Sequence, residues 1–123
     1  MKRVSRVAAT AAVLALMPVA LAVAAGGPSG TYTTTITKPA ILKGTYRLTF
    51  TPGHMVLVLP GGKVRRGTDT IFGSTIRFRL RGGLCRRPGT YKFTLSASSV
   101  TFTKVMDACT RSVVFTAHPW TRA

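Results

Sequence analysis

The amino-acid sequence predicts an all-β domain: a small eight-stranded antiparallel up-and-down barrel with one disulfide, with a β-sandwich as the rival architecture. Three observations carry this. Beyond residue 25 no apolar stripe recurs at the helical period, whereas β-branched and aromatic residues recur at alternate positions. Gly, Pro and Ser interrupt that alternation at short intervals, as tight turns require. Two cysteines, Cys85 and Cys109, flank the best-marked hairpin.

Residues 1–25 read as a cleavable export signal. Lys2, Arg3 and Arg6 make a basic start, an apolar run extends from Val7 to about Val23, and small residues follow, with cleavage after Ala22, Ala24 or Ala25. The apolar run is near the lower length limit for spanning a bilayer. Its Ala-rich make-up, Pro18 and the lack of a basic stop after it favour removal over anchoring. The expected location is therefore secreted or extracytoplasmic. Residues 26–123 then form one domain, enough for a single core and too short for two.

Within that domain alternation predicts strands at Thr31–Thr37, Thr45–Thr51, Met55–Leu59, Thr68–Phe72, Thr75–Arg81, Thr90–Ser96, Val100–Met106 and Ser112–Ala117. Turns fall at Thr51-Pro52-Gly53, Pro60-Gly61-Gly62, Phe72-Gly73-Ser74, Arg87-Pro88-Gly89 and around Ala97-Ser98. Tyr46, Leu48 and Phe50 share one face, as do Ile76, Phe78 and Leu80, and as do Val113 and Phe115 on the last predicted strand. A turn on Ala97-Ser98 sets Leu95 opposite Val100, Phe93 opposite Phe102 and Tyr91 opposite Lys104, with Thr94 and Thr101, and Lys92 and Thr103, on the other side. Extending this ladder brings Cys85 beside Cys109. Two cysteines in an exported chain form a disulfide, and the loop of about 25 residues between them is worth roughly 3–3.5 kcal/mol in the chain-entropy model. Gly-Thr-Tyr recurs at Gly30–Tyr32, Gly44–Tyr46 and Gly89–Tyr91. In each case the Gly admits a sharp turn into a strand, and the Tyr is expected to point inward with its hydroxyl near the rim.

Charge bounds the function. Eighteen Lys and Arg stand against Asp69 and Asp107, with no Glu; three of the basic residues lie in the export signal, so the remainder carries about +13. Such a field favours anionic partners. Lys63, Arg65 and Arg66 cluster in a loop, Arg77, Arg79 and Arg81 form a stripe on one strand, and Arg86, Arg87 and Lys92 lie next to it if the fifth and sixth strands are neighbours. No aromatic interleaves with the stripe on its own face to stack bases, so nucleic acid is disfavoured against phosphate-rich envelope polymers or lipid headgroups. Catalysis lacks parts: there are no paired carboxylates and no free thiol is expected. Ser112, His118 and Asp107 make a triad on paper, but no nucleophile elbow surrounds any Ser. Asp107 and Arg111 are expected to fix the turn before the last strand, His54 to be exposed, and Trp120 to cap one mouth with Arg122 or Arg111 stacked on it. No metal site or cofactor is expected, because the His and Cys spacing suits none.

The stretches Gly30–Thr37 and Gly44–Phe50, the approach Cys85 to Pro88-Gly89-Thr90-Tyr91, and the ending Asp107-Ala108-Cys109-Thr110-Arg111 with His118-Pro119-Trp120 resemble small exported bacterial proteins with a lipocalin-like, calycin-type barrel. The resemblance spans nearly all of residues 26–123. It implies an eight-stranded barrel open at one end that holds a small hydrophobic molecule, with Tyr46, Phe50, Phe78, Phe93 and Phe102 as the interior ligand-binding residues. True lipocalins open on Gly-x-Trp, where this chain has Gly-x-Tyr, and are much longer. The combined expectation is a non-enzymatic monomer that binds an apolar ligand inside or an anionic envelope surface outside, with a filled structural barrel as the alternative.

Overall fold

The computed structural model describes residues 26–83 and 85–123; the expected export signal, residues 1–25, lies outside the described residues. The strands are β1 (Gly30–Ile36), β2 (Gly44–Thr51), β3 (His54–Val58), β4 (Val64–Phe72), β5 (Thr75–Leu80), β6 (Gly89–Leu95), β7 (Ser99–Met106) and β8 (Trp120–Arg122). A short helix, α1 (Arg111–Thr116), lies between β7 and β8. The strands close into one antiparallel barrel in sequence order, with β8 paired to both β7 and β1. The barrel, and not the sandwich, is the architecture.

Alternation works as expected in the first seven strands. Tyr46, Leu48 and Phe50 on β2, Ile76, Phe78 and Leu80 on β5, and Tyr91 and Phe93 on β6 are all buried. In the β6–β7 hairpin, Leu95 pairs with Val100, Phe93 with Phe102 and Tyr91 with Lys104, and a bulge between Thr90 and Tyr91 shifts the register at its far end. Beyond that end Cys85 is bonded to Cys109, with their Cα atoms 6.0 Å apart. Strand β4 begins at Val64 rather than Thr68. After the Pro60–Gly62 turn the chain pairs at once with β3, from Val58 opposite Val64 to His54 opposite Thr68.

The last predicted strand is corrected. Ser112–Ala117 is not extended: Arg111–Thr116 is helical, and the eighth strand is the three-residue segment Trp120–Arg122. Val113 and Phe115 therefore do not share a face; Val114 and Phe115 are buried while Val113 stays exposed. The cause is tertiary. Strand β8 pairs only with Tyr32 and Thr33 on β1 and with Ser99 and Val100 on β7, too short to seal the whole seam between them. Helix α1 packs against β7 and drives Phe115 into the interior.

Phe115 is the hub of the core. Its ring lies 4.9 Å from Phe78, 5.6 Å from Tyr91, 5.7 Å from Phe102 and 5.7 Å from Trp120. Tyr32 and Phe50 extend the aromatic column toward one end, with Phe50 meeting Phe102. An eight-stranded barrel has an interior that side chains can fill, and here they do so through its middle.

The two ends differ. One carries the tight turns β2–β3, β4–β5 and β6–β7 and is capped by Arg122, whose guanidinium lies 4.8 Å over the Tyr32 ring and donates to the Tyr32 hydroxyl and the Ser29 carbonyl. The other carries the longer connections: a single 3-10 turn at Ala40–Leu42, the β5–β6 link with Cys85, and the segment from Met106 into α1 with Cys109.

Candidate functional site

At the end with the longer connections the aromatic column stops short, leaving a pocket of about 190 Å³. Its walls are Leu42, Leu57, Leu59, Leu80 and Val114, so β3, β5, the 3-10 turn and α1 all contribute. Tyr46, Arg65, Arg111, Thr110, Cys85 and the Gly82–Gly83 turn complete it. Gly82 and Gly83 both hold positive φ, 86° and 72°, which other residues rarely adopt. A Cβ on them would also stand 3.2 and 3.1 Å from the Arg65 side chain, which lies along this turn.

One side of the pocket is built on a buried polar network. The side chain of Asp107 is fully buried, and its Oδ2 accepts from the Tyr91 hydroxyl at 2.5 Å and from Arg111 Nε at 2.8 Å. Its Oδ1 accepts from the Cys109 amide at 3.0 Å, an Asx-type turn that leads the chain into α1. Burial pushes the Asp107 carboxyl up, but the hydrogen bonds from Arg111, Tyr91 and the Cys109 amide outweigh it and hold the pKa below the ordinary value. Burial, reinforced by Asp107, pushes the Tyr91 phenol far above its usual range. Arg111 is held further by Nη2 donating to the Arg87 carbonyl at 2.5 Å and by its position 5.0 Å over the Phe78 ring. Gly89 makes room for this network: a Cβ there would sit 2.7 Å from Asp107 Oδ2.

The three Gly-Thr-Tyr tyrosines all point inward with a partnered hydroxyl. Tyr32 accepts from Arg122, Tyr46 donates to the Leu42 carbonyl at 2.8 Å, and Tyr91 donates to Asp107. Of the five interior residues expected to contact a ligand, Tyr46 lines the pocket; Phe50, Phe78, Phe93 and Phe102 belong to the packed core. Trp120 is fully buried with its indole N–H on the Phe115 carbonyl, and the arginines expected to stack on it stack on Tyr32 and Phe78 instead. Asp107 bonds neither Ser112 nor His118, and His118 and His54 are both exposed. Cys85, Asp107 and Cys109 bring three metal-ligating residue types together, but there the sulfurs are bonded to each other.

The basic residues divide into two groups. Arg77 and Arg79 face outward from β5, opposite Thr70 and Thr68 of β4, and Arg77 is also opposite Thr90 of β6. Arg79, Arg81 and Arg86 line a surface groove of about 310 Å³. Lys63, Arg66, Arg87 and Lys92 are exposed as well. Arg65 stands apart, on the inward side of β4 at the pocket. Neither acidic side chain offsets the outer arginines: Asp107 is in the buried network, and Asp69 lies on the inward side of β4 with its Oδ2 buried and unpaired. Burial raises the Asp69 pKa against a lowering from His54.

Fold and site together define the class: a closed eight-stranded β-barrel with a filled middle, a disulfide-braced end and a small apolar pocket at that end. The disulfide points to an oxidising, non-cytoplasmic setting. Among the described residues no helix is long and apolar enough to cross a membrane. No family model, no curated protein and no solved structure matches the chain.

Proposed function

We propose that this chain is an exported, non-enzymatic binding protein of lipocalin-like type that takes a small apolar ligand at the open end of its barrel. The pocket of about 190 Å³ walled by leucines and Val114 carries this reading. Its volume exceeds that of the roughly 150 Å³ apolar cavity that admits benzene, so the ligand is ring-sized and does not thread the barrel. The export signal read in residues 1–25, the disulfide and the resemblance to small exported lipocalin-like barrels support the same view. The absence of Glu and the engagement of Asp107 by three donors argue against acid–base hydrolysis.

A neutral solvatochromic dye tests it. Fluorescence enhancement should saturate, persist at high salt, and disappear in Leu42→Trp, which places an indole in the pocket from a half-buried position. No enhancement in the folded, oxidised protein rejects the reading.

A second reading is favoured by one specific observation, the arginine groove on the outer face with no carboxylate opposite it. On this reading the barrel docks to anionic envelope polymers. Retention on immobilised polyphosphate should fall steeply with salt and drop further in an Arg79→Glu, Arg81→Glu double variant. Retention unchanged by that variant counts against it.

A further inference from the structure

Arg111 is unusual among the arginines. Its side chain is only 10% exposed, Nε and Nη2 are committed to Asp107 and the Arg87 carbonyl, and Nη1 is buried with no hydrogen-bond partner. A guanidinium nitrogen in that position carries donors that its surroundings leave unused, and an unsatisfied buried donor on a charged group is costly. Arg111 lines the same pocket as Arg65. Arg65 has no carboxylate partner among the described residues; its one hydrogen bond is a 3.4 Å contact to the Val64 carbonyl, and it lies against the Gly82–Gly83 turn.

The charge count at the pocket is uneven. Two guanidiniums, Arg65 and Arg111, stand against the single carboxylate of Asp107, which leaves one positive charge beside apolar walls. A neutral hydrocarbon would satisfy the walls, strand the free Arg111 donors and cover a net charge. A dianion would overshoot the balance. A group with one negative charge and two acceptor oxygens matches both the charge and the donors, and a planar carboxylate is such a group and an established guanidinium partner.

We propose that the pocket binds a small apolar monocarboxylic acid, its ring or short chain among Leu42, Leu57, Leu80 and Val114 and its carboxylate accepting from Arg111 Nη1 and from Arg65. This rests on the reading of the pocket as a ligand site and specifies the ligand class. The Arg111–Asp107–Tyr91 network then has a second task besides bracing the turn: it fixes the guanidinium so that one nitrogen, Nη1, is left for the ligand. Because Tyr91 and the Cys109 amide hold the carboxylate that holds Arg111, the donor is set before the ligand arrives. Arg65, on the rim, supplies the second contact.

The test compares naphthoate with its neutral isostere naphthylmethanol on the oxidised protein, by NMR titration of the Leu57, Leu80 and Val114 methyls and the Arg111 guanidinium nitrogens. Naphthoate should bind roughly tenfold or more tighter, the scale of one hydrogen bond between charged groups, and should move the Arg111 resonances, while naphthylmethanol moves the methyls alone. Arg111 substitutions strand the buried Asp107 and risk unfolding, so the variant is Arg65→Gln, which should lower the ratio of naphthoate to naphthylmethanol affinity; an unchanged ratio counts against Arg65 as a carboxylate contact. Equal affinities for the two compounds overturn the carboxylate proposal while the pocket reading stands. Naphthoate shifts confined to the Arg79–Arg86 groove also overturn it, as surface ion pairing. If neither compound perturbs the pocket methyls, both readings fall.

Discussion

Replacing Asp107 by Asn tests the buried network with almost no change of shape. In the native protein all three donors around this side chain need an oxygen: Arg111 Nε–H and the Tyr91 hydroxyl at Oδ2, the Cys109 amide at Oδ1. An amide offers only one oxygen. If its NH2 takes the place of Oδ2 it confronts the Arg111 donor, and if it takes the place of Oδ1 it confronts the Cys109 amide. In either orientation Arg111, with a side chain only 10% exposed, loses its counter-charge. Breaking a buried pair from one side costs about 3–5 kcal/mol. Against a whole-domain stability of about 5–15 kcal/mol, that loss lowers Tm by roughly 12 °C or more for a domain of this size.

Chemical denaturation of the oxidised protein at neutral pH measures this loss, and a pH series isolates its cause. The folded pKa of Asp107 is depressed, so its contribution is complete above the unfolded carboxylate pKa and is lost as pH falls through the folded value. The stability gap between wild type and Asp107→Asn should therefore be widest near neutrality and close on acidification. Asp69, with a raised folded pKa, contributes the opposite slope: its stabilisation is present below the unfolded pKa and lost as pH rises through the folded one. That slope is common to both proteins and cancels in the difference. A loss below about 1 kcal/mol, or a gap that does not narrow in acid, refutes the assignment of Asp107 as an ionised, load-carrying centre of this end of the barrel.

Gly89→Ala probes the same network sterically, since Gly89 is not among the positive-φ glycines and the new Cβ would stand 2.7 Å from Asp107 Oδ2; a cost of about 1–3 kcal/mol is expected from overpacking, read by urea midpoint. Replacing Cys85 and Cys109 together by Ser should lower stability by roughly 3–3.5 kcal/mol through the opened loop without removing the barrel's circular-dichroism signature. The helical assignment of Arg111–Thr116 is tested by pairing Val113→Ala with Phe115→Ala. In a strand both would be costly, whereas in the helix the exposed Val113 site should change stability by about 0.5 kcal/mol or less and the buried Phe115 site by about 3–5 kcal/mol.

Several features were readable because they depend on local rules. Period-two alternation settles which face each strand residue takes, and it placed Tyr46, Phe50, Phe78, Phe93 and Phe102 inside. The Ala97-Ser98 turn set the β6–β7 register, and from that the neighbourhood of the two cysteines followed. The tyrosines after each Gly-Thr found partners at the rim because a buried phenol needs one.

The candidate site was less visible. Arg65 and Arg66 are adjacent and chemically alike, and with β4 expected to begin only at Thr68 nothing local indicated which of them would turn inward. Pairing with β3 from Val64 onward decided it, sending Arg65 to the pocket and Arg66 to solvent. Arg111 was legible as a partner for Asp107 four residues away, but the Arg87 carbonyl on its Nη2 and the buried, unpartnered state of its Nη1 depend on tertiary packing.

By itself, then, the sequence determined the all-β class, seven of the strands, one hairpin register and the disulfide, since these follow from side-chain alternation, turn chemistry and redox setting. Tertiary structure decided the rest. Ser112-Val113-Val114-Phe115-Thr116 has the composition of a strand and is too short to display a helical period, yet it is helical, packed against β7 with Phe115 filling the barrel interior beside a β8 of only three residues. The pocket has the same origin: its volume is what remains where that filling stops, a quantity set by the packing of segments far apart in the chain.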